Sequence, residues 1–138
     1  KVTLWVATDG LDTDFTAKLL DMYPPGGAYP AGAAINLADS ILRLRFREGF
    51  EQEKLAEPGE VYEISFELYP TANRFVKGHR IRVDISSSNY PRFDANPNTG
   101  GPLGRERLFR VATNTLYHDR SRPSHITLPV QSSEDQSL

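Results

Sequence analysis

The stretch Leu42-Arg43-Leu44-Arg45-Phe46-Arg47 alternates three apolar side chains with three arginines, and it is the clearest of four such alternations in the chain. The others are Tyr62-Glu63-Ile64-Ser65-Phe66-Glu67-Leu68, Arg80-Ile81-Arg82-Val83-Asp84-Ile85 and Ile126-Thr127-Leu128-Pro129-Val130. A period of two sends every second side chain to the same face of an extended chain. The four stretches therefore predict β-strands with one buried face.

Three further runs are predicted as strands although they alternate less cleanly: Val2 to Val6, Phe15 to Met22 and Arg107 to Val111. Helix signals are weak, and they predict no more than single turns at Ala38-Asp39-Ser40-Ile41 and Thr71-Ala72-Asn73-Arg74. Glycine and proline residues separate the runs. Seven or eight strands in a nearly helix-free chain predict an all-β fold, an antiparallel sandwich or jelly roll.

The size and composition are those of one globular domain. The chain has 138 residues, 38% of them apolar, with a net charge of -2 and a pI near 5.9. This charge argues against a nucleic-acid binder that is held by a basic field. We predict a jelly-roll domain over residues 1–130 and a polar tail over residues 131–138.

Cysteine is absent, which excludes disulfides, thiolate metal sites and a cysteine nucleophile. No apolar run approaches the roughly 20 residues that span a bilayer. The start at Lys1, without an initiator Met, indicates a fragment or a processed product, and these residues do not resemble a signal peptide. The missing cysteines and signal slightly favour the cytoplasm.

The chain offers little for catalysis. It contains no G-x-S-x-G nucleophile elbow. A Ser-His-Asp triad or a metal site would have to draw on His79, His118 and His125, which do not have the spacing of known metal-ligand motifs. We therefore predict no catalytic residue, no metal and no cofactor.

Two charged groups leave alternatives open. Asp9, Asp12 and Asp14 cluster near a glycine and could supply oxygen ligands to calcium, or Asp12 and Thr13 could cap a turn and bond local backbone amides. Arg43, Arg45 and Arg47, joined by Arg80 and Arg82, form a basic row. Cross-strand pairing with Glu63, Glu67 and Asp84 explains this row better than a phosphate or nucleic-acid site.

The longest irregular stretch runs from Ser86 to Arg105, and connections of this length are usually functional or disordered. The segment could be a self-packed lid over one end of the sandwich. Tyr, Arg and Phe side by side are also typical of interfaces. We predict that it docks to another domain or a ligand through Asn89, Tyr90, Pro91, Arg92, Phe93, Asp94 and Asn96.

Several blocks in order resemble the C-terminal domain of the X-Pro dipeptidyl-peptidase and cocaine esterase family. They are Asp12-Thr13-Asp14-Phe15-Thr16-Ala17-Lys18-Leu19, Ala34-Ile35-Asn36-Leu37-Ala38-Asp39-Ser40-Ile41-Leu42-Arg43, Lys77-Gly78-His79-Arg80-Ile81-Arg82-Val83 and Ser86-Ser87-Ser88-Asn89-Tyr90-Pro91-Arg92-Phe93-Asp94-Ala95-Asn96. Together they cover most of the chain.

The resemblance implies a galactose-binding-domain-like jelly roll that lacks its first strands and carries no triad residue. In this family the jelly roll accompanies an α/β-hydrolase domain that acts on esters, amides or X-Pro peptides. The resemblance also implies that the jelly roll stabilises the hydrolase domain of the same parent chain and helps to wall the substrate cleft of that domain. An exposed sheet edge would favour self-association. Neither nucleic acid nor membrane is expected as a partner.

An alternative function is a free-standing module that binds carbohydrate or calcium. Such a module needs exposed aromatic platforms, and the sequence offers Trp5, Tyr23, Tyr29, Tyr90 and Tyr117. Several of these lie at predicted strand or turn positions that would suit the core equally well.

Overall fold

The computed structural model describes residues 1–131, which form seven antiparallel strands and one short 3-10 turn. The strands are β1 (Val2–Thr8), β2 (Asp14–Tyr23), β3 (Ala33–Arg43), β4 (Tyr62–Phe66), β5 (Arg80–Ser86), β6 (Asn114–Tyr117) and β7 (His125–Ile126), and the 3-10 turn covers Leu44–Phe46. Over this part of the chain no helix is long and apolar enough to cross a bilayer. The all-β antiparallel sandwich is confirmed.

The strands form two sheets with the orders β4-β1-β6 and β3-β2-β5. β1 is central in the first sheet because β4 lies along one edge, while β6 and β7 share the other. β2 is central in the second sheet and pairs with β3 and β5 over almost its whole length. The centre of the molecule is therefore built around two strands from the first quarter of the chain.

The core lies between the two sheets. Val2, Leu4 and Val6 of β1 alternate inward and meet Phe15 and Ala17 of β2, and all five are almost completely buried. A period of two predicts these inward positions, and the outward-facing Thr3 is buried as well, at 7% exposure. The strand predictions at Val2, Phe15, Tyr62 and Arg80 are confirmed.

The prediction of one strand over residues 42–47 is wrong in its second half. β3 ends at Arg43, and the chain then turns through the 3-10 segment. The amide of Leu44 donates to the carbonyl of Thr13 at 2.9 Å, and the amide of Arg45 donates to Asp12 Oδ1 at 3.0 Å. The alternation of apolar and basic residues survives because Leu44 enters the core and Arg45 enters a buried ion pair.

The other departures concern short elements. Ala38-Asp39-Ser40-Ile41 lies within β3 and is not helical, and no turn forms at residues 71–74. The run Arg107 to Val111 is irregular and pairs with no strand of the described chain. The last strand is His125–Ile126 and does not continue to Val130. Except for Gln131, the predicted tail at 131–138 lies outside the described residues.

Candidate docking surface in the connection between β5 and β6

Residues 87–113 join β5 to β6 without forming a strand, and they contain all the predicted interface residues. The first half of this connection lies against the β3-β2-β5 sheet. The Tyr90-Pro91 peptide bond is cis. The segment is attached to the sheet by carboxylates of β2, β3 and the loop after β1, as follows.

Asn96 is the most deeply buried residue of the connection, at 8% exposure. Its Nδ2 donates to Asp14 Oδ1 at 2.8 Å and to Asp12 Oδ2 at 3.0 Å. Both carboxylates are also neutralised by arginines. Arg43 binds both oxygens of Asp14 at 2.8 and 3.0 Å, and Arg45 Nε lies 2.7 Å from Asp12 Oδ2. A buried charge of this kind is tolerated because it is paired and hydrogen-bonded.

These pairs contradict the predicted pairing of Arg43 and Arg45 with Glu63 and Glu67. The partners of Arg43 and Arg45 are Asp14 and Asp12, whereas Glu63 and Glu67 lie on or beside β4 in the other sheet. The hydrogen bonds that Arg43 donates to Asp14 raise the pKa of Arg43 above its usual value, although burial opposes this shift. The predicted basic row is therefore interrupted, because two of its members are tied to buried acids.

The same contacts argue against the hypothesis that Asp12 and Asp14 bind calcium. Asp12 and Asp14 direct their oxygens at Arg45, Arg43 and Asn96, so cationic and amide donors occupy the positions that a metal ion would need. The described residues contain no group of three or more His, Cys, Asp or Glu side chains that could hold a metal. The alternative, a turn closed by local backbone amides, is wrong for Asp12, whose backbone donor is the distant Arg45.

Asp39 of β3 is a second attachment point. It is 4% exposed and accepts a hydrogen bond from Asn89 Nδ2 at 3.0 Å. Arg92 Nε lies 3.1 Å from its other oxygen, and the Arg92 guanidinium lies over the ring of Tyr69 at 5.3 Å. The carbonyl of Asp94 accepts a long hydrogen bond of 3.4 Å from Arg43. Polar groups of the predicted interface are thus used within the domain.

The side chains of the predicted interface that form no polar contact within the domain are mainly apolar or aromatic. Tyr90 is 72% exposed and Pro91 is also exposed, while Phe93 is half-buried beneath Arg92. Attachments on both sides of Tyr90, at Asn89 and Arg92, hold this part of the chain against the sheet. The structure therefore combines the self-packed lid with an outward-facing aromatic residue.

The second half of the connection contains apolar residues that the sequence pattern predicts to be a strand. Leu108 is 74% exposed, Phe109 is 68% exposed and Val111 is 92% exposed. A half-buried strand would have covered one of the two adjacent residues Leu108 and Phe109. Their adjacency breaks the period of two, and this was the signal in the sequence that could have identified the segment as irregular.

His79, His125 and most of the remaining aromatic residues have partners within the domain, and His118 lines one cavity together with Ser124 and His125. His125 Nδ1 lies 2.8 Å from the carbonyl of Pro123, and His79 Nδ1 lies 2.8 Å from Asp21 Oδ1. The rings of Tyr23 and Tyr29 are 5.0 Å apart, and Arg122 covers Tyr117 at 3.8 Å. Trp5 is half-buried. Among the five aromatic residues proposed as carbohydrate platforms, Tyr90 alone is more than half exposed.

Comparison with known proteins identifies the domain. Residues 1–127 match the model of the X-Pro dipeptidyl-peptidase C-terminal non-catalytic domain. The chain belongs to this family. Its members in the comparisons are hydrolases in which this domain is the C-terminal part, so the segment described here is the non-catalytic portion.

Curated and solved relatives agree with this assignment. The chain is 45% identical over 129 residues to cocaine esterase of Rhodococcus sp. (strain MB1 Bresler), a match that covers 92% of this chain and 21% of that protein. An α-amino acid ester hydrolase is 31% identical with a TM-score of 0.78, over 90% of this chain and 22% of the other. An aminopeptidase from a marine-sediment Thaumarchaeota archaeon is also 31% identical, with a TM-score of 0.82 over 89% and 21%. The chain thus spans about a fifth of the length of these relatives.

Proposed function

We propose that this domain docks on the α/β-hydrolase domain of its parent chain, stabilises it and helps to wall its substrate cleft. The parent would be a serine hydrolase that acts on esters, amides or X-Pro peptides. The relatives named above support a hydrolase parent, since one is an esterase, one an ester hydrolase and one an aminopeptidase. The domain itself supplies no group to the reaction.

The observation that carries this proposal is the exposure of Tyr90 on a backbone that is attached to the sheet on both sides. A tyrosine that is 72% exposed gains little by facing water, yet the chain on both sides is attached to a buried carboxylate, Asp39. Holding an aromatic ring outward on a fixed backbone lowers the entropy that an interface would otherwise lose on binding. Tyrosine is among the residues that dominate binding energy when they are buried between partners.

The test uses the full-length hydrolase with Tyr90→Ala. Burial of the ring against the hydrolase domain predicts a lower Tm and, if Tyr90 reaches the cleft, a lower kcat/KM. Phe50→Ala is the matched control because Phe50 is 83% exposed and lies outside the connection. A Tyr90→Ala enzyme with the Tm and kinetics of the Phe50→Ala enzyme would remove Tyr90 from the interface.

Arg92→Ala is a less direct variant. We expect it to lower Tm and turnover too, but Arg92 pairs with Asp39 inside the domain, so part of its effect would come from a loosened connection. The difference between full-length enzyme and isolated domain separates the two contributions. Tyr90→Ala should lower Tm only in the full-length enzyme, whereas Arg92→Ala should lower it in both.

Two measurements on the isolated chain complete the test. We expect no hydrolysis of acyl esters, and turnover that a serine-directed reagent abolishes would contradict a non-catalytic role. Calorimetric titration with sugars and with calcium should give no heat. Heat with either ligand would favour the free-standing binding module.

A further inference from the structure

We propose that Leu103, Leu108, Phe109 and Val111 form a second docking surface, which we call the 103–111 segment, for the hydrolase part of the same polypeptide. The expected partner surface is apolar at its centre and acidic at its rim. This inference rests on the proposed function, because it names a surface through which the domain would dock. It differs from the Tyr90 surface in position and in chemistry.

The exposure of the 103–111 segment is unusual for its residue types. Val111 is 92% exposed, Leu108 74%, Phe109 68% and Leu103 40%. Single exposed apolar residues are ordinary, but a run of them within nine residues is typical of a surface that another molecule covers. The described residues leave these four side chains exposed, and residues 107–113 pair with no strand of the described chain.

The backbone of the segment is nevertheless attached at several points. Glu106 Oε1 accepts hydrogen bonds from the amides of Arg107 and Leu108, each at 3.2 Å, while Thr99 donates to its other oxygen at 3.1 Å. The amide of Arg110 donates to the carbonyl of Pro97 at 2.9 Å. These contacts hold the backbone of residues 106–110 while the side chains of Leu108 and Phe109 stay exposed.

Asp9 fixes the end of the segment. Its Oδ1 accepts the amide of Thr113 at 2.9 Å and pairs with Arg110 Nη1 at 3.1 Å. Asn98 Nδ2 donates to the carbonyl of Arg110 at 3.0 Å. A segment fixed from both ends presents its apolar side chains in a defined arrangement, which is what a preorganised interface requires.

Charge indicates the chemistry of the partner. Arg105 and Arg107 flank the apolar residues and are exposed, and neither forms an ion pair with any residue of the described chain. Interfaces commonly join an apolar centre to a polar rim of complementary charge. The surface that covers Leu108 and Phe109 should therefore carry carboxylates around its edge.

The hydrolase part of the polypeptide is the favoured occupant because of chain length. In the family this domain is C-terminal and non-catalytic, and it corresponds to only 21–22% of the solved relatives. Nearly four-fifths of such a chain precedes the domain and is tethered to it. Tethering raises the effective concentration of that part far above that of a second copy. A second copy is therefore an outcome that the experiment must distinguish.

The first experiment places a photo-cross-linking residue in the full-length hydrolase as Phe109→p-benzoylphenylalanine. We expect cross-links to peptides of the hydrolase part, flanked by Asp or Glu, within a single chain. The same residue introduced at Phe50 is the control. Cross-links only between chains, or a yield no higher than at Phe50, would overturn the inference.

The second experiment compares the full-length triple variant Leu108→Ser, Phe109→Ser, Val111→Ser with the control Phe50→Ser, Val130→Ser, whose residues are 83% and 88% exposed. We expect the triple variant alone to lose several degrees of Tm and to bind a hydrophobic dye. In the isolated domain the triple variant should leave Tm unchanged, because its side chains have no partner there. Equal Tm values for the two full-length variants would overturn the inference.

The results also separate this inference from the proposed function. If Tyr90→Ala lowers Tm but the triple variant does not, the domain docks without the 103–111 segment, and the inference alone fails. If the hydrolase part is equally stable and active without residues 1–131, the proposed function fails and the inference fails with it.

A third experiment tests the acidic rim of the partner surface. The full-length double variant Arg105→Gln, Arg107→Gln should have a lower Tm than the native enzyme at low salt, and the difference should be smaller at high salt. No change at low salt would overturn the acidic rim.

Discussion

Asp12 and Arg45 form an ion pair of 2.7 Å in which the side chains are 0% and 3% exposed. Asp12 also accepts the Arg45 backbone amide, and Arg45 donates onward to the carbonyl of Gly101 at 3.1 Å and to Glu53 at 3.0 Å. One buried pair thus joins the loop after β1, the 3-10 turn after β3 and the connection between β5 and β6.

Loss of Arg45 would leave Asp12 buried without its cation. We expect Arg45→Met to lower the free energy of unfolding by about 3–5 kcal/mol, because an uncompensated buried charge costs far more than a lost surface pair. Arg120→Met is the control because Arg120 is exposed, and it should change stability by less than ~0.5 kcal/mol. Urea denaturation of the two variants and the native chain measures this free energy of unfolding. Equal losses in the two variants would contradict the role of the pair.

A double variant checks the same interaction from the other side. Asp12→Asn combined with Arg45→Met removes both charges, so its destabilisation should be smaller than the sum of the two single effects. Strict additivity would mean that Asp12 and Arg45 act independently.

Asn96 is expected to be the most sensitive residue of the predicted interface. Asn96→Ala removes a donor from two buried carboxylates and should cost about 1–3 kcal/mol of folding free energy. Asn96→Asp should cost more at neutral pH, because it adds a third negative charge beside Asp12 and Asp14.

The pH dependence of Asn96→Asp has a defined sign. Neighbouring carboxylates raise the folded-state pKa of the new carboxyl above its unfolded value, so its penalty is full above that raised pKa and disappears as the pH falls below the unfolded one. The stability difference from the native chain, measured by urea denaturation at several pH values, should shrink on acidification. A difference that is constant between pH 4 and 7 would contradict this account.

Asp119 provides a prediction in the turn between β6 and β7. Hydrogen bonds from Ser121 and Arg122 lower the pKa of Asp119 from 3.8 to about 2. Because the folded-state pKa is lowered, the stabilisation exists above the unfolded pKa and is lost as the pH falls towards 2. NMR titration of the carboxyl carbon should give a midpoint near 2, and Ser121→Ala should raise it. An unshifted midpoint in the native chain would contradict the hydrogen bonds.

Gly10 is predicted to be intolerant of a side chain. A Cβ added there would lie 2.9 Å from Arg110 Nη1, 3.1 Å from the carbonyl of Asn98 and 3.2 Å from the carbonyl of Asp12. Gly10→Ala should therefore push Arg110 from Asp9 and increase hydrogen exchange of the amides of 107–113. Gly104→Ala is the comparison, because it adds backbone strain at a φ of +67° but meets no atom within 4 Å. Protection of 107–113 that is as high in Gly10→Ala as in Gly104→Ala would contradict the close packing.

The strands could be predicted from sequence where every second side chain is apolar and enters the core, although the central strands β1 and β2 are buried on both faces. This holds for Val2, Leu4 and Val6, which alternate into the core as predicted. The period of two gave the wrong environment for Arg45. An arginine next to the core is predicted to face solvent unless its buried partner, here Asp12, is known. The prediction of a helical turn at Asp39 also failed, because β3 continues through this residue.

The sequence predicted which segment forms the candidate site, but it did not predict the residues to which that segment is attached. The connection between β5 and β6 was identified by its length and by Tyr90, Arg92 and Phe93. Its attachments to Asp12, Asp14 and Asp39 are separated from Asn89 and Asn96 by 50 to 84 residues, a range over which local patterns carry no information. Whether these residues contact a hydrolase domain remains a prediction.

The position of β1 has a consequence for synthesis on the ribosome. Val2 and Thr3 pair with Ile126 and His125, and Trp5 pairs with Tyr117, so one edge of this strand is completed by the last strands of the described chain. During translation β1 emerges before the other described strands, and more than a hundred further residues must be synthesised before that edge can close. The domain should therefore fold late and slowly, as expected of a topology dominated by long-range pairing. Until then, β1 exposes a row of apolar side chains that a chaperone could recognise.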